Sequence, residues 1–154
     1  MKDLCDIVDS KFIDFSSQTH GGALCIKQRI SLQFFYCIFF RCVTVQSCYG
    51  GGIYLQSSKT IVACRNCAYE CSAGWGHFVY VNGVSNPNVF INETMTTKCY
   101  GDDCGVCYNY AATLYSRMYN SLYCSSKIHV NLFTYLGPKT DSAFQQYFNN
   151  SNDV

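Results

Sequence analysis

The chain has 154 residues, of which 49% are hydrophobic and only 14% charged, and its formal net charge is +1. Ordinary globular proteins carry about 25% charged residues, so the shortfall argues against a helical bundle with solvated faces. No basic block is present, which argues against nucleic-acid binding, since that needs clustered Lys and Arg. Thirteen Tyr, eleven Phe and many Val, Ile and Thr favour strands, and the length suits one domain with a sizeable core.

At the start, Asp3, Asp6 and Asp9 interrupt any apolar run, so no signal peptide is read there. The expectation is either a cytosolic protein or a segment that has lost its original start. Ser10-Lys11-Phe12-Ile13-Asp14-Phe15 then opens a repeat, and its counterpart is Cys37-Ile38-Phe39-Phe40-Arg41-Cys42. The same pattern returns as Asn66-Cys67-Ala68-Tyr69-Glu70-Cys71, and Cys99 follows Cys71 at a similar interval. A second column runs through Gly21-Gly22-Ala23-Leu24-Cys25-Ile26, Gly50-Gly51-Gly52-Ile53-Tyr54-Leu55, Gly76-His77-Phe78-Val79-Tyr80-Val81 and, more loosely, Asp103-Cys104-Gly105-Val106-Cys107-Tyr108. Its fifth positions are Cys25, Tyr54, Tyr80 and Cys107, evenly spaced at the same period. Between the first two copies, Ile30 to Val45 is largely apolar but contains Gln33 and Arg41, and it is short for a membrane helix.

Regular self-similarity, here with a period of about 27 residues, is the signature of a solenoid. The reading is all-β: a right-handed parallel β-helix of four to five coils, with a partial first coil, over residues 1–136. Successive coils stack at about 4.8 Å and equivalent positions form ladders of like residues. Alternation predicts inward ladders of Leu24, Ile53, Val79 and Val106, and of Ile26, Leu55, Val81 and Tyr108. The residues between, Cys25, Tyr54, Tyr80 and Cys107, are then expected as an exposed outward stripe. The glycine pairs supply a corner with φ > 0, and Arg41 and Glu70 are expected as an exposed opposite-charge rung. A β-sandwich is the competing architecture, but it requires no sequence identity at this period. The repeat fades after about Tyr123. Residues 137–154 read as a cap or tail, with a break at Gly137-Pro138 and a short helix capped at Thr140-Asp141-Ser142, placing Ala143, Phe144, Tyr147 and Phe148 on one face.

Gly-Gly-x-[Ile/Leu]-[Tyr/Cys]-[Ile/Leu] preceded by Phe-x-x-Cys resembles the repeats of polymorphic-outer-membrane-protein-type β-helices, and most of all the cysteine-bearing repeat proteins of trichomonad protists. The resemblance covers about residues 10 to 110, with intact glycine pairs in two coils. It implies an extracellular or cell-surface interaction protein, often adhesive, joined to a membrane only through regions absent from this chain. Host-cell or glycan surfaces, and neighbouring coils of a longer array, are the expected partners.

The twelve cysteines leave three readings open: small buried hydrophobes, for which Cys42, Cys71 and Cys99 fit as an inward ladder; disulfides between stacked coils; and a zinc site from Cys64-x-x-Cys67 and Cys104-x-x-Cys107, whose two halves stand further apart than the usual ribbon spacing. No cofactor is called for. For binding, Trp75 with Tyr54 and Tyr80 forms an aromatic set suited to sugar rings or a protein surface. Because β-helices often carry polysaccharide lyases and hydrolases, the alternative is a pectin-lyase-like carbohydrate-active enzyme. Its only paired acid is Asp102-Asp103, joined by His77 of the Gly74-Trp75-Gly76-His77 segment. The bland reading of these three is a coil corner and a degraded glycine position.

Overall fold

The computed structural model describes residues 4–27, 30–56, 59–82, 88–104, 107–110, 113–117, 120–122, 124–126, 133–136 and 148–149, with side chains as far as Gly101 and at Cys124. The first coil consists of β1 (Leu4–Val8), β2 (Lys11–Ile13), β3 (Ser16–Ser17) and β4 (Leu24–Ile26). The second holds β5 (Ser31–Phe35), β6 (Ile38–Phe40), β7 (Val43–Thr44) and β8 (Ile53–Gln56), and the third β9 (Thr60–Cys64), β10 (Cys67–Tyr69), β11 (Ser72–Trp75) and β12 (Val79–Asn82). The stack continues through β13 (Asn88–Asn92), β14 (Met95–Thr97), β15 (Tyr100–Cys104) and β16 (Cys107–Tyr110). Beyond these come β17 (Thr113–Arg117), β18 (Asn120–Leu122), β19 (Ser125–Ser126), β20 (Phe133–Leu136) and β21 (Phe148–Asn149).

Equivalent strands stack into four parallel sheets, here called faces A to D: β1-β5-β9-β13-β17, β2-β6-β10-β14-β18-β21, β3-β7-β11-β15-β19 and β4-β8-β12-β16-β20. The protein is therefore an all-β parallel β-helix, with about three turns whose side chains are described in full. No helix occurs among the described residues, and so none there is long and apolar enough to cross a membrane.

Strand alternation decides what lies inside. Leu32, Phe34, Phe39, Ile53, Leu55, Ile61, Phe78, Val79, Val81, Val89 and Ile91 form one continuous core along the axis. Each such side chain contributes about 1.5–3 kcal/mol when fully buried. The Leu24-Ile53-Val79 and Ile26-Leu55-Val81 ladders are present as the sequence predicts. The fourth rung is corrected by one residue: Val79 pairs with Cys107 and Tyr80 with Tyr108, displacing Val106 and Cys107 from the expected positions. The register between β11 and β15 does shift, between Ala73-Gly101 and Trp75-Cys104, but the shift is local: Ala73 and Gly101 before it and Val79 and Cys107 after it are both 28 residues apart, one more than the spacing that matched Val79 to Val106.

The stack also continues past Tyr123, where the sequence repeat fades. On face A the pairs Leu4-Ser31, Leu32-Ile61 and Ile61-Val89 keep the period, whereas Val89 meets Leu114 after a shorter stretch of chain. A shortened last coil breaks the period in sequence while keeping the pairing in space. The expected C-terminal helix falls mostly on residues outside those described. Phe148, assigned to it, lies instead in β21, which pairs with β18.

In each of the first four coils, two corners turn on residues in the left-handed region. Between faces A and B these are Asp9, Tyr36, Arg65 and Glu93, and between B and C they are Asp14, Arg41, Glu70 and Lys98, all with φ from 46° to 59°. This conformation costs an L-residue about 1–2 kcal/mol. Stacking offsets the cost, because the turned N–H reaches the next coil: Asp9 donates to the Phe35 carbonyl at 3.0 Å, Arg41 to Tyr69 at 2.9 Å and Glu70 to Thr97 at 3.0 Å. At the C/D corner the conformation falls to glycine, at Gly21 (φ 70°), Gly50 (70°) and Gly76 (61°), as the glycine pairs predict. Next to it, a Cβ on Gly51 would run into the His77 carbonyl oxygen, so the corner has no room for a side chain there.

Just inside the A/B and B/C corners sit small polar or sulfur side chains. Asn66, fully buried, accepts from the Cys37 N–H at 3.0 Å and donates to the Phe34 carbonyl at 3.2 Å, so it is satisfied by the coil beneath it. Inside the B/C corner, Cys42, Cys71, Cys99 and Cys124 form a sulfur column through four consecutive coils, all buried. Their S–H groups back-bond to carbonyls, Cys42 to Phe12 at 3.4 Å and Cys71 to Phe39 at 3.6 Å, and the Cys99 N–H donates to the Cys124 sulfur at 3.4 Å. The ten cysteines with described side chains are free thiols.

Candidate functional site

Outside face D, two aromatic columns interlock. One rises from the strands, with Tyr54 directly below Tyr80 and Cys25 below Tyr54. The other rises from the corner, where His20, Tyr49 and Trp75 each stand one residue before a left-handed glycine, Gly21, Gly50 and Gly76. The glycine turn lets the chain reverse direction tightly, which brings the preceding ring back over the strand. Backbone bonds fix the column: Gly21 N–H donates to the Tyr49 carbonyl and Gly50 N–H to the Trp75 carbonyl, both at 2.9 Å, and Tyr49 and Trp75 form a parallel bridge.

The rings then stack across the two columns. His20 lies on Tyr49 (centroids 4.7 Å apart) and on Tyr54 (4.6 Å), while Tyr49 lies on Tyr80 (4.5 Å) and meets Trp75 edge-on at 6.1 Å. Such pairs contribute about 0.5–1.5 kcal/mol each beyond their buried area. This arrangement corrects the expectation of an exposed stripe. Tyr54 and Tyr80 do point away from the core, yet they are only 4% and 8% exposed. The corner column covers them, and what accessible surface remains belongs to the partly exposed His20, Tyr49 and Trp75. Of the three residues predicted to bind, Trp75 alone lies on the accessible rim. His20 and Tyr49 were missed, although an aromatic residue before each glycine turn was visible as a third column.

The chemistry of this ledge is that of a rigid, mostly apolar face with a few polar handles. His20 Nδ1 accepts the Tyr49 N–H at 3.3 Å, which requires that nitrogen to be unprotonated. Burial, and then the charge of Lys27, hold His20 below the usual histidine range, in keeping with that bond. The Tyr54 hydroxyl is raised by burial and bonds to Asn82. Cys25, at the lower end of the strand column, is the one exposed thiol among the described cysteines.

The remaining candidates lie elsewhere. His77 stands where Gly51 stands one coil earlier, and its ring is sealed inside the helix; a Cβ on Gly101 would collide with its Nε2 edge. Asp102 and Asp103 are on the backbone of β15, and their side chains are outside the description. Cys64 and Cys67 flank the A/B corner of the third coil, whereas Cys104 and Cys107 end β15 and begin β16 at the C/D corner of the fourth. The four are thus at opposite corners, and no group of three or more His, Cys, Asp or Glu among the described residues is arranged to hold a metal ion.

In the sulfur column, the Cys42 thiol is pushed up by its neighbour Cys71 and then by burial, and Cys99 is pushed up by burial first and then by its neighbours Cys124 and Cys71. Cys71, between the two, is pulled the other way by Cys42 and Cys99. These thiols are structural, without the exposure and positive surroundings that reactive cysteines need. No family model matches the chain, and neither a curated protein nor a solved structure matches it.

Proposed function

We propose that the chain is a segment of a surface or secreted β-helix repeat protein, a non-catalytic scaffold that engages host or glycan surfaces through the aromatic ledge on face D. The observation that carries this reading is the interlocked stack itself, in which buried Tyr54 and Tyr80 hold partly exposed Tyr49 and Trp75 in fixed geometry. Preorganised aromatic surface is what weak, flat partners such as sugar rings need, because little side-chain freedom is lost on binding. The resemblance to repeat proteins of the polymorphic-outer-membrane type points in the same direction.

The test uses the single tryptophan as both reporter and anchor. The folded protein is titrated with a panel of soluble polysaccharides, and its adhesion to cultured epithelial cells is measured. Trp75→Ala removes a rim side chain packed edge-on against Tyr49, so it should lower the melting temperature modestly, and in protein confirmed folded by circular dichroism it should lower glycan or cell binding about tenfold or more. Binding that is indifferent to Trp75→Ala, or a wild-type protein that adheres to neither probe, would remove the ledge from consideration. Placement outside the cell is tested separately, by fractionating the source cells and asking whether the protein is accessible to protease on intact cells.

A further inference from the structure

Face B presents an outer surface unlike the others. With Phe12, Phe39, Ala68 and Thr96 turned inward, its outer columns are Lys11-Ile38-Cys67-Met95 and Ile13-Phe40-Tyr69-Thr97. Ile13, Ile38 and Met95 are 50%, 39% and 42% exposed, and Phe40 stacks on Tyr69 with centroids 5.3 Å apart. Six of these eight side chains are apolar. The left-handed corners frame them with charge: Asp9, Tyr36, Arg65 and Glu93 along one edge, Asp14, Arg41, Glu70 and Lys98 along the other. Arg41 binds Asp14 at 2.6 Å and Arg65 binds Glu93 at 2.6 Å, while Lys98 stands 4.0 Å from Glu70. Counting Lys11, the face and frame carry four cations and four anions, so they sum to zero.

We propose that face B docks against face B of a second copy of this chain, with the two coil axes aligned. A half-turn about an axis parallel to the stack lays each A/B corner row against the other copy's B/C corner row, coil for coil. Arg65 then meets the partner subunit's Glu70, Glu93 meets the partner subunit's Lys98, and Tyr36 meets the partner subunit's Arg41. The last contact repeats one already made within the chain, where Arg65 lies over the Tyr36 ring. The first coil alone sets like charges together, Asp9 against the partner subunit's Asp14, with Lys11 between them. An isologous interface needs a surface that complements itself, and this face with its frame is neutral as a whole and sets opposite charges, or a cation over an aromatic ring, together at three of its four coil levels. The face is about five residues wide, or ~16 Å, and four coils tall, or ~19 Å. That is small against the ~800 Å² per partner of a stable complex, so the dimer is a weak one.

Sedimentation of the reduced protein from about 5 to about 500 µM reads the proposal directly. The expected result is a concentration-dependent dimer whose midpoint moves up at least tenfold in Ile38→Lys/Met95→Lys, while Val8→Lys on exposed face A leaves it in place. Arg65→Glu should weaken the dimer and Arg65→Glu/Glu70→Arg should restore it, a readout independent of the apolar variant's folding. Alkylation of Cys67 should slow as protein concentration rises, with Cys25 unaffected. A wild-type chain monomeric throughout the range would overturn the proposal. So would association that persists in the Ile38→Lys/Met95→Lys protein, which would assign the contact to the coil ends or to face D.

Discussion

The sulfur column inside the B/C corner and the aromatic columns outside face D were built by the same rule, one residue per coil at a fixed position, and sequence alternation places them on opposite sides of the wall. Burial does not follow that division. Cys42, Cys71 and Cys99 are sealed because they face the axis, while Tyr54 is sealed although it faces away. The first column is closed by the coils above and below it. The second is closed sideways, by rings that the glycine corner folds back over the strand. In a stack of coils, exposure is decided by what the corners do and not by strand polarity alone.

That equivalence can be attacked from the outer column first. Tyr54→Ser should cost about 3–5 kcal/mol, the value for deleting a packed aromatic side chain, measured by denaturant unfolding. A loss within ~0.5 kcal/mol, as on an open surface, would mean that the ledge does not pack in solution. In the inner column, Cys71→Ala should cost about 1–2 kcal/mol for one lost sulfur and the small void it leaves. Its thiol should resist alkylation until global unfolding, while Cys25 reacts in the native state; equal rates would deny the column its seal. A gain is expected at the corners between the two regions, where Lys98→Asn should add about 0.5 kcal/mol, since Asn accepts the left-handed conformation more readily and the exposed pair with Glu70 contributes little. The smallest effect is one of pH. Because burial and Lys27 depress His20 in the folded state, its contribution is fully present above the ordinary value near 6.5 and is lost as the pH falls toward and through the lower folded value. His20→Phe should flatten that part of the melting-temperature profile, and an unchanged slope would remove His20 from the ledge's stability.

Much of the architecture was legible because ladders constrain sequence. Leu24, Ile53 and Val79 had to be apolar at each rung, so their spacing exposed the coil. The register failed where the coil length changes: Val79 and its partner Cys107 are 28 residues apart, whereas the match to Val106 assumed 27, and the degraded glycine pair at Asp103-Cys104 gave no fixed point to reveal the extra residue. Cys124 escaped notice because its coil, measured from Tyr100 to its partner Ser125, is shorter than the period that revealed the others. The predicted pairing of Arg41 with Glu70 rested on adjacency alone. Arg41 turns to Asp14 on the coil below and Lys98 approaches Glu70 from the coil above. The site was the least legible part, since whether Tyr54 and Tyr80 are covered depends on His20 and Tyr49, corner residues that strand alternation never addresses.

The order of signs along the B/C corner restricts how such a protein can lengthen or shorten. Asp14, Arg41, Glu70 and Lys98 alternate from one coil to the next. Excising the single coil that holds Arg41 would bring two carboxylates together at a spacing of about 4.8 Å, and excising the one that holds Glu70 would bring two cations together. Removal or duplication of coils in pairs keeps the alternation, so the unit of change at this corner is two coils.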